Sequence, residues 1–406
     1  MTAFHPATID ELQEAVAGAL DREQPLAISG GGSKRDLGRP TSVTDELCLD
    51  RLTGVVNFEP AELILTAMAG TPLDEVDSLL AGRGQMLAFE PVDWRGLLGS
   101  ESATPTLGGA LGCNLAGPRR IRAGAARDHF LGFSGVNGFG EAFKAGGKVV
   151  KNVTGYDLCK LLAGSYGTLS VLAEVTLKVM PRPDESMSLL IAGLDDAAAI
   201  AALADGLNSP HEVSAAAHLP AAAAKRSSVS AVASAGSSIT TLRLEGPGSS
   251  IAYRAGVLRE LLASRGTIVA LDQSESERLW REIGEVKPLL PVDGRVVWRL
   301  SVPPASGPRT VEAIERSLDV VAFYDWAGGL IWLSVPEQGD GGAAVIRAAL
   351  ASCGGHATLV RAPESLRAKV PVFEPLPTAL AALTRRVKES FDPKHLFNPG
   401  RLYPDM

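Results

Sequence analysis

The sequence predicts an α+β protein built from two domains. Its 406 residues exceed what one compact core accommodates. The N-terminal third switches repeatedly between helical and strand periodicity. A long alternating stretch, Leu169 to Val179, then ends at Pro181-Arg182-Pro183, which is the sharpest break in the chain and the expected domain boundary.

Taken in order, Thr8-Ile9-Asp10-Glu11 has the form of a capping box, with Leu12, Val16 and Leu20 following at helical spacing. Pro25 to Ile28 reads as a short strand that enters a glycine-rich loop, and Leu63 to Met68 as a buried strand. Thr71-Pro72 predicts an N-cap followed by proline at the first helical position. Leu73, Val76, Leu79 and Leu80 form one face of that helix, and Gly82 ends it. Glycine and proline are dense from Arg83 to Arg119, which predicts irregular loops over a ligand. Asn137-Gly138 is a hairpin signal between two strands. Beyond the proline pair, residues 193–238 are rich in Ala and Ser. They predict Ala-rich helices, such as Ala221 to Ala224, and a mobile Ser-Ala-Gly loop near 227–238. Val296 to Leu300 and Leu330 to Leu333 predict strands of a second, mixed sheet. The turn-rich segment from Phe391 to Arg401 carries aromatics and is expected to be docked.

Composition excludes several classes. An apolar share of 46% and a charged share of 21% are ordinary for a globular enzyme. A net charge of −7 argues against general affinity for nucleic acid or anionic membrane. The N-terminus lacks the basic and apolar regions of a signal peptide, and no apolar run reaches the roughly 18 residues of a membrane span. Cys48, Cys113, Cys159 and Cys353 are widely spaced, without a CxxC pair. They are expected to be buried thiols, not ligands of zinc or an iron–sulfur cluster.

Three segments point to a ligand. Ser29-Gly30-Gly31-Gly32-Ser33-Lys34 follows a strand, lacks bulky side chains, and offers backbone N–H groups, a hydroxyl and a cation to a phosphate-sized anion. A glycine-rich surface turn is the alternative. The loop is neither a P-loop nor a Rossmann fingerprint, since no G-K-[ST] follows and no apolar helix start comes after it. The second segment, Thr106 to Gly117, has small residues at nearly every other place, with Thr106 and Asn114 as polar groups. A helix there would lose about 1 kcal/mol per glycine, so its glycines require a packing or binding reason. The third is Val150-Lys151-Asn152-Val153-Thr154-Gly155-Tyr156-Asp157, followed by Gly164-Ser165-Tyr166-Gly167-Thr168-Leu169.

The order of these motifs resembles the FAD-binding domain of the vanillyl-alcohol oxidase/PCMH superfamily. Within it, the chain is similar to the FAD-binding subunits of bacterial glycolate oxidases. The motifs are strand, glycine loop, T-x-G-G with a later Asn, K-N-V-x-G-Y-D, and G-S-x-G-T-L. The resemblance implies a PCMH-type two-subdomain FAD-binding domain at 1–183, a smaller α+β cap domain at 184–385, and a C-terminal segment, 386–406, docking back on the FAD domain. It implies that Ser29, Gly30, Gly31, Gly32, Ser33 and Lys34 hold the FAD diphosphate. Thr106, Gly108, Gly109 and Asn114 would line its other side. Gly167, Thr168 and Val171 would lie near the adenine, and Asn398 would return to the flavin domain as a further cofactor-binding residue. It further implies a cytoplasmic glycolate oxidase complex, peripheral to the inner membrane, with a larger catalytic FAD subunit and an iron–sulfur subunit as partners.

Two departures from the family bear on chemistry. The diphosphate loop has no His, so FAD is expected to be noncovalent, and Tyr166 stands where G-S-E-G-T-L has an acid. Oxidising a 2-hydroxy acid requires a base, a cation for the carboxylate and a flavin. His356, in Cys353-Gly354-Gly355-His356-Ala357, is the candidate catalytic base, with a structural His as the alternative. Arg119 or Arg120, in the cluster with Arg122 and Arg127, is a candidate fork for a carboxylate or an FAD phosphate, with a solvated or subunit-facing basic patch as the alternative. Three readings follow: an FAD subunit whose substrate reacts on a homologous partner, a stand-alone 2-hydroxy-acid dehydrogenase, or a flavin-free scaffold.

Overall fold

The structure, a computed structural model, describes residues 2–147 and 155–406. The chain forms two compact units: residues 1–116, 124–182 and 375–406 make the first, and 117–123 with 183–374 make the second.

Among the described residues the first unit contains a two-stranded pair, Gln85–Met86 with Met180–Pro181, and two larger sheets that position its loops. In the smaller of these two, Ala3–Phe4 and Leu26–Ser29 both run parallel to Asp45–Cys48. In the larger, Val55–Glu59, Ile64–Met68, Ser170–Lys178, Phe130–Asn137 and Ala142–Gly146 are antiparallel in that order. Helix Ile9–Asp21 starts as expected: Thr8 Oγ1 accepts from Glu11 N at 3.1 Å, while Glu11 Oε2 reaches back to Ala7 N. Its buried Leu12 and Val16 join Leu26, Leu47, Val136, Val171 and Phe397 in one core cluster.

Two local expectations for this unit fail. Thr71 does not cap the helix Leu73–Ala81; Pro72 occupies the cap, and the Thr71 hydroxyl instead donates to Met68 O at 2.7 Å. The segment expected to be irregular contains a helix, Leu107–Gly112, whose cap Thr106 accepts from Gly109 N at 3.3 Å. Packing explains it. Gly108 N donates to Ala69 O at 2.7 Å, and a methyl on Gly108 would lie 2.8 Å from that oxygen. Only a glycine fits, and that contact offsets its low helix propensity.

Among the described residues the second unit carries an eight-stranded sheet, ordered Ile268–Leu271, Glu185–Ala192, Ile239–Gly246, Ala215–Leu219, Val321–Asp325, Leu330–Pro336, Arg295–Ser301, His356–Arg361. Every pairing is antiparallel, so the expected mixed sheet is corrected. Strand alternation sends Leu189 and Ile191 into a core with Ile200 and Leu203 of helix Asp196–Leu207. Ser188, on the other face, accepts from Trp280 Nε1 at 2.8 Å, so helix Gln273–Gly284 covers that side. The Ala-rich stretch is part helix, at Ala221–Ala224, and part strand, at Ala215–Leu219. The expected mobile loop near 227–238 includes a helical turn, Ser230–Ala233, and is anchored at its start: Ser227 Oγ donates to Glu282 Oε2 at 2.6 Å and Ser228 N to Oε1 at 2.9 Å.

Candidate functional site

The strand Leu26–Ser29 delivers the chain into the glycine loop of the first unit. The Ser29 hydroxyl does not point at a ligand: it donates to Glu46 Oε1 at 2.8 Å, and the same oxygen receives the Arg35 guanidinium. One carboxylate thus ties the entrance of the loop to its exit. Gly30 and Gly31 are required by the second segment. A methyl on Gly30 would lie 2.3 Å from Thr106 Oγ1, and one on Gly31 would lie 2.2 Å from Thr104 O. Thr104 N donates to Gly31 O at 2.9 Å, so the two predicted loops interlock. Gly32, at φ +80°, would bring a methyl only into ordinary contact with Ala103 Cβ and Arg35 Nη2, at 3.9 and 4.0 Å, so its left-handed backbone is what calls for glycine.

Lys34 follows with its side chain directed toward Gly109, whose would-be methyl lies 3.8 Å from Nζ. Among the described residues its ammonium makes one hydrogen bond, to Ser33 Oγ at 3.1 Å. Burial pushes Lys34 below its ordinary pKa, against the opposing influence of the Cys113 thiol and Asp93. A desolvated ammonium with one of its three donors used favours an anion beside it. Cys113, on the same cluster, is raised by desolvation in spite of Lys34 and Arg401, which keeps it a thiol. The expectation of four buried thiols is corrected in part: Cys159 is buried, while Cys48, Cys113 and Cys353 are half-buried.

The remaining positions converge on this cluster from the same unit. Asn114, at φ +49°, spends Oδ1 on Arg127 N at 3.0 Å. The turn Gly164 to Thr168 docks on the helix Leu107–Gly112 through Gly164 N to Leu111 O at 3.2 Å and Tyr166 N to Gly112 O at 2.8 Å. Gly167 has φ +67°, and a methyl on it would lie 2.9 Å from Asn398 Nδ2. Thr168 Oγ1 closes the turn on Ser165 O at 2.7 Å. Val171 is fully buried in the core, so its side chain packs the sheet and does not face a cofactor. Asn398 joins the parts: Oδ1 accepts from Ile28 N at 2.9 Å and Nδ2 donates to Tyr166 O at 2.8 Å. The motif residues Lys151, Asn152, Val153 and Thr154 lie outside the described residues.

Sequence reasoning missed three contributors: Glu46, Asp93 and Arg401. Arg401 Nη2 donates to Lys34 O at 2.8 Å. A charged residue within the docked tail was the available signal for Arg401; nothing local marks Glu46 or Asp93. The glycine, serine and lysine positions fit a cofactor with an anionic diphosphate, because they combine a left-handed glycine, a desolvated cation and interlocked loops with no bulky side chain.

His356 and three of the four arginines, Arg119, Arg120 and Arg122, belong to the second unit. His356 opens the strand His356–Arg361 of the second unit, opposite Ser301. Burial, Arg299 and Arg120 hold it below its ordinary pKa, with Glu374 opposing them. The Arg120 and Arg299 guanidinium carbons lie 4.5 and 5.1 Å from the centroid of Trp326. Arg119 is committed to Glu245, through Nε to Oε2 at 3.0 Å and Nη2 to Oε1 at 2.7 Å, which corrects its reading as a ligand fork. Arg122 pairs with Glu212.

A family model described as an FAD binding domain matches residues 2–146. The chain is 34% identical over 397 residues to the glycolate oxidase subunit GlcE of Escherichia coli (strain K12), covering 97% of each chain. It is 26% identical over 186 residues to the glycolate oxidase subunit GlcD of Bacillus subtilis (strain 168), covering 46% of this chain and 38% of that one. The crystal structure of p-cresol methylhydroxylase with substrate bound superposes with a TM-score of 0.72 over 99% of this chain and 88% of its own, at 14% identity, which establishes the PCMH-type fold. With a full-length relative at that identity and an FAD binding domain over residues 2–146, the chain belongs to the GlcE family of glycolate oxidase subunits and is an FAD-binding subunit of an oxidoreductase.

Proposed function

We propose that this subunit holds FAD noncovalently on the interlocked loops of its first unit, inside a glycolate oxidase that also contains a larger catalytic FAD subunit and an iron–sulfur subunit. The carrying observation is Lys34, a desolvated ammonium whose hydrogen bond goes to Ser33 alone among the described residues. In this reading Gly32, Ser33 and Lys34 bind the diphosphate, Gly109 leaves room beside it, and Gly167 and Thr168 shape the turn near the adenine. FAD, when bound, supplies hydride or electron transfer. The chain's own residues bind and orient it, and the protonated Cys113 thiol makes no covalent link. Glycolate oxidation itself takes place on the homologous partner, which agrees with the commitment of Arg119 to Glu245. The assembly is cytoplasmic and peripheral to the inner membrane; no helix among the described residues is long and apolar enough to cross one.

A second reading is favoured by one observation: His356 is held below its ordinary pKa, which keeps a neutral base available at neutral pH. There the chain alone oxidises a 2-hydroxy acid with His356 as the base. Purifying the chain without partners separates these readings. Bound flavin that glycolate does not bleach supports the first; bleaching that His356→Ala abolishes supports the second. Absence of flavin, with no binding on titration, leaves a scaffold and refutes both.

A further inference from the structure

We propose that the C-terminal stretch from Lys388 to Arg401 is a strap that sets the geometry of the cofactor loops, with Asn398 and Arg401 as positioning residues. The proposal rests on the FAD reading above.

The strap begins with a buried ion pair. Lys388 Nζ donates to Asp392 Oδ2 at 2.6 Å, to Thr168 O at 2.6 Å and to Phe397 O at 3.2 Å. Asp392 accepts from Leu396 N at 2.9 Å and Phe397 N at 2.8 Å, so this pair shapes the tail and ties it to the 164–168 turn. The tail then runs beside the strand that leads into the glycine loop, with Leu26 N donating to Leu396 O at 2.7 Å and Asn398 N to Leu26 O at 3.0 Å.

Two side chains act on the two ends of the loop. At its entrance, the Asn398 amide accepts from Ile28 N and donates to Tyr166 O, at 2.9 and 2.8 Å. Tyr166 and Gly167 have φ of +55° and +67°, a left-handed pair that strains a tyrosine, and this amide bonds to its carbonyl. At the exit, Arg401 donates from Nη2 to Lys34 O at 2.8 Å, while Arg39 N donates to Arg401 O at 3.0 Å. The loop is therefore gripped on both sides of Gly30 to Ser33, by the Asn398 amide at Ile28 N and by Arg401 Nη2 at the Lys34 carbonyl. Asn398, which the family resemblance assigns to the cofactor, is bonded through both amide heavy atoms to protein backbone.

The test uses the full chain, stripped of flavin and titrated with FAD, with the melting temperature of the flavin-free protein followed in parallel. Arg401→Ala should weaken FAD binding about tenfold, the order of one charge-assisted hydrogen bond. Arg401→Lys should restore most of it, and the flavin-free melting temperature should stay within about two degrees. Asn398→Asp keeps the acceptor for Ile28 N and loses the donor to Tyr166 O, so a matching loss there assigns the effect to the turn. Unchanged FAD affinity in Arg401→Ala, or a fall in affinity accompanied by an equal fall in flavin-free stability of every variant, overturns the strap. Lys34→Gln distinguishes the two levels of the argument: if it binds FAD normally the cofactor site itself is misplaced, whereas if it alone weakens binding only the strap fails.

Discussion

Gly31→Ala isolates the interlock of the two loops. The added methyl would lie 2.2 Å from Thr104 O and 2.7 Å from Thr104 Cβ. An ordinary contact needs about 3.5 Å, so one segment must withdraw by about 1 Å. Because both obstructing atoms lie at the backbone or next to it, no rotamer change relieves the overlap. Withdrawal breaks the Thr104 N to Gly31 O hydrogen bond at 2.9 Å. Bond loss and overpacking together cost about 2–3 kcal/mol, which a domain of ordinary stability survives. The larger effect is on binding: an error of about 1 Å in the placement of Ser33 and Lys34 should weaken FAD binding about a hundredfold. Quenching of flavin fluorescence on titration, with a melting curve of the flavin-free chain, measures both. A folded Gly31→Ala protein whose FAD affinity stays within about threefold of the parent would refute the reasoning.

Three further outcomes are expected. Gly112→Ala, with no atom within 4 Å of the added methyl, should raise stability by about 0.5–1 kcal/mol, read as a melting temperature a few degrees higher. Lys388→Met leaves Asp392 charged and fully buried without its partner, and should cost about 3–5 kcal/mol in denaturant unfolding. Burial pushes Glu245 up, but the charge of Arg243 and the bonds from Arg119 outweigh it and hold the carboxyl at about 2, below its ordinary 4.5. A depressed folded pKa stabilises above the unfolded value, so this contribution, up to about 3 kcal/mol, is present at neutral pH and lost as pH falls from about 4.5 to about 2. Acid unfolding of Glu245→Gln should show a flatter slope in that window; an unchanged slope would contradict the assignment.

Local chemistry made part of this legible in the sequence. The Thr8 cap, the strand into the glycine loop, and the docked tail each follow from short-range rules, and each is present, although Glu11 reaches back to Ala7 N, one residue before the cap. What the glycines do was not legible. Runs of small residues signal close approach, but not of what: Gly30, Gly31 and Gly108 admit Thr106, Thr104 and Ala69, Gly32 makes only ordinary contacts, and Gly112 faces open space. The same contact with Ala69 turns a glycine-rich stretch into a helix against its propensity, a tertiary effect that no local window contains. Strand direction was equally hidden, since alternation in Arg295–Ser301 or Leu330–Pro336 is the same for a parallel and an antiparallel neighbour. Val171 was assigned from motif order alone, and a fully buried Val171 shows that order places a backbone, not the direction of a side chain.

The bond between Ile28 N and Asn398 Oδ1 spans 370 residues of sequence. On a ribosome the glycine loop emerges early, whereas its partners at Leu396, Asn398 and Arg401 follow only some 370 residues later. At ordinary elongation rates the delay is on the order of tens of seconds. Through that interval the nascent loop has neither its entrance nor its exit fastened. If these loops hold FAD, its capture follows synthesis of the Leu396 to Arg401 stretch, and a product terminated before Leu396 would be flavin-poor even if its remaining core had folded.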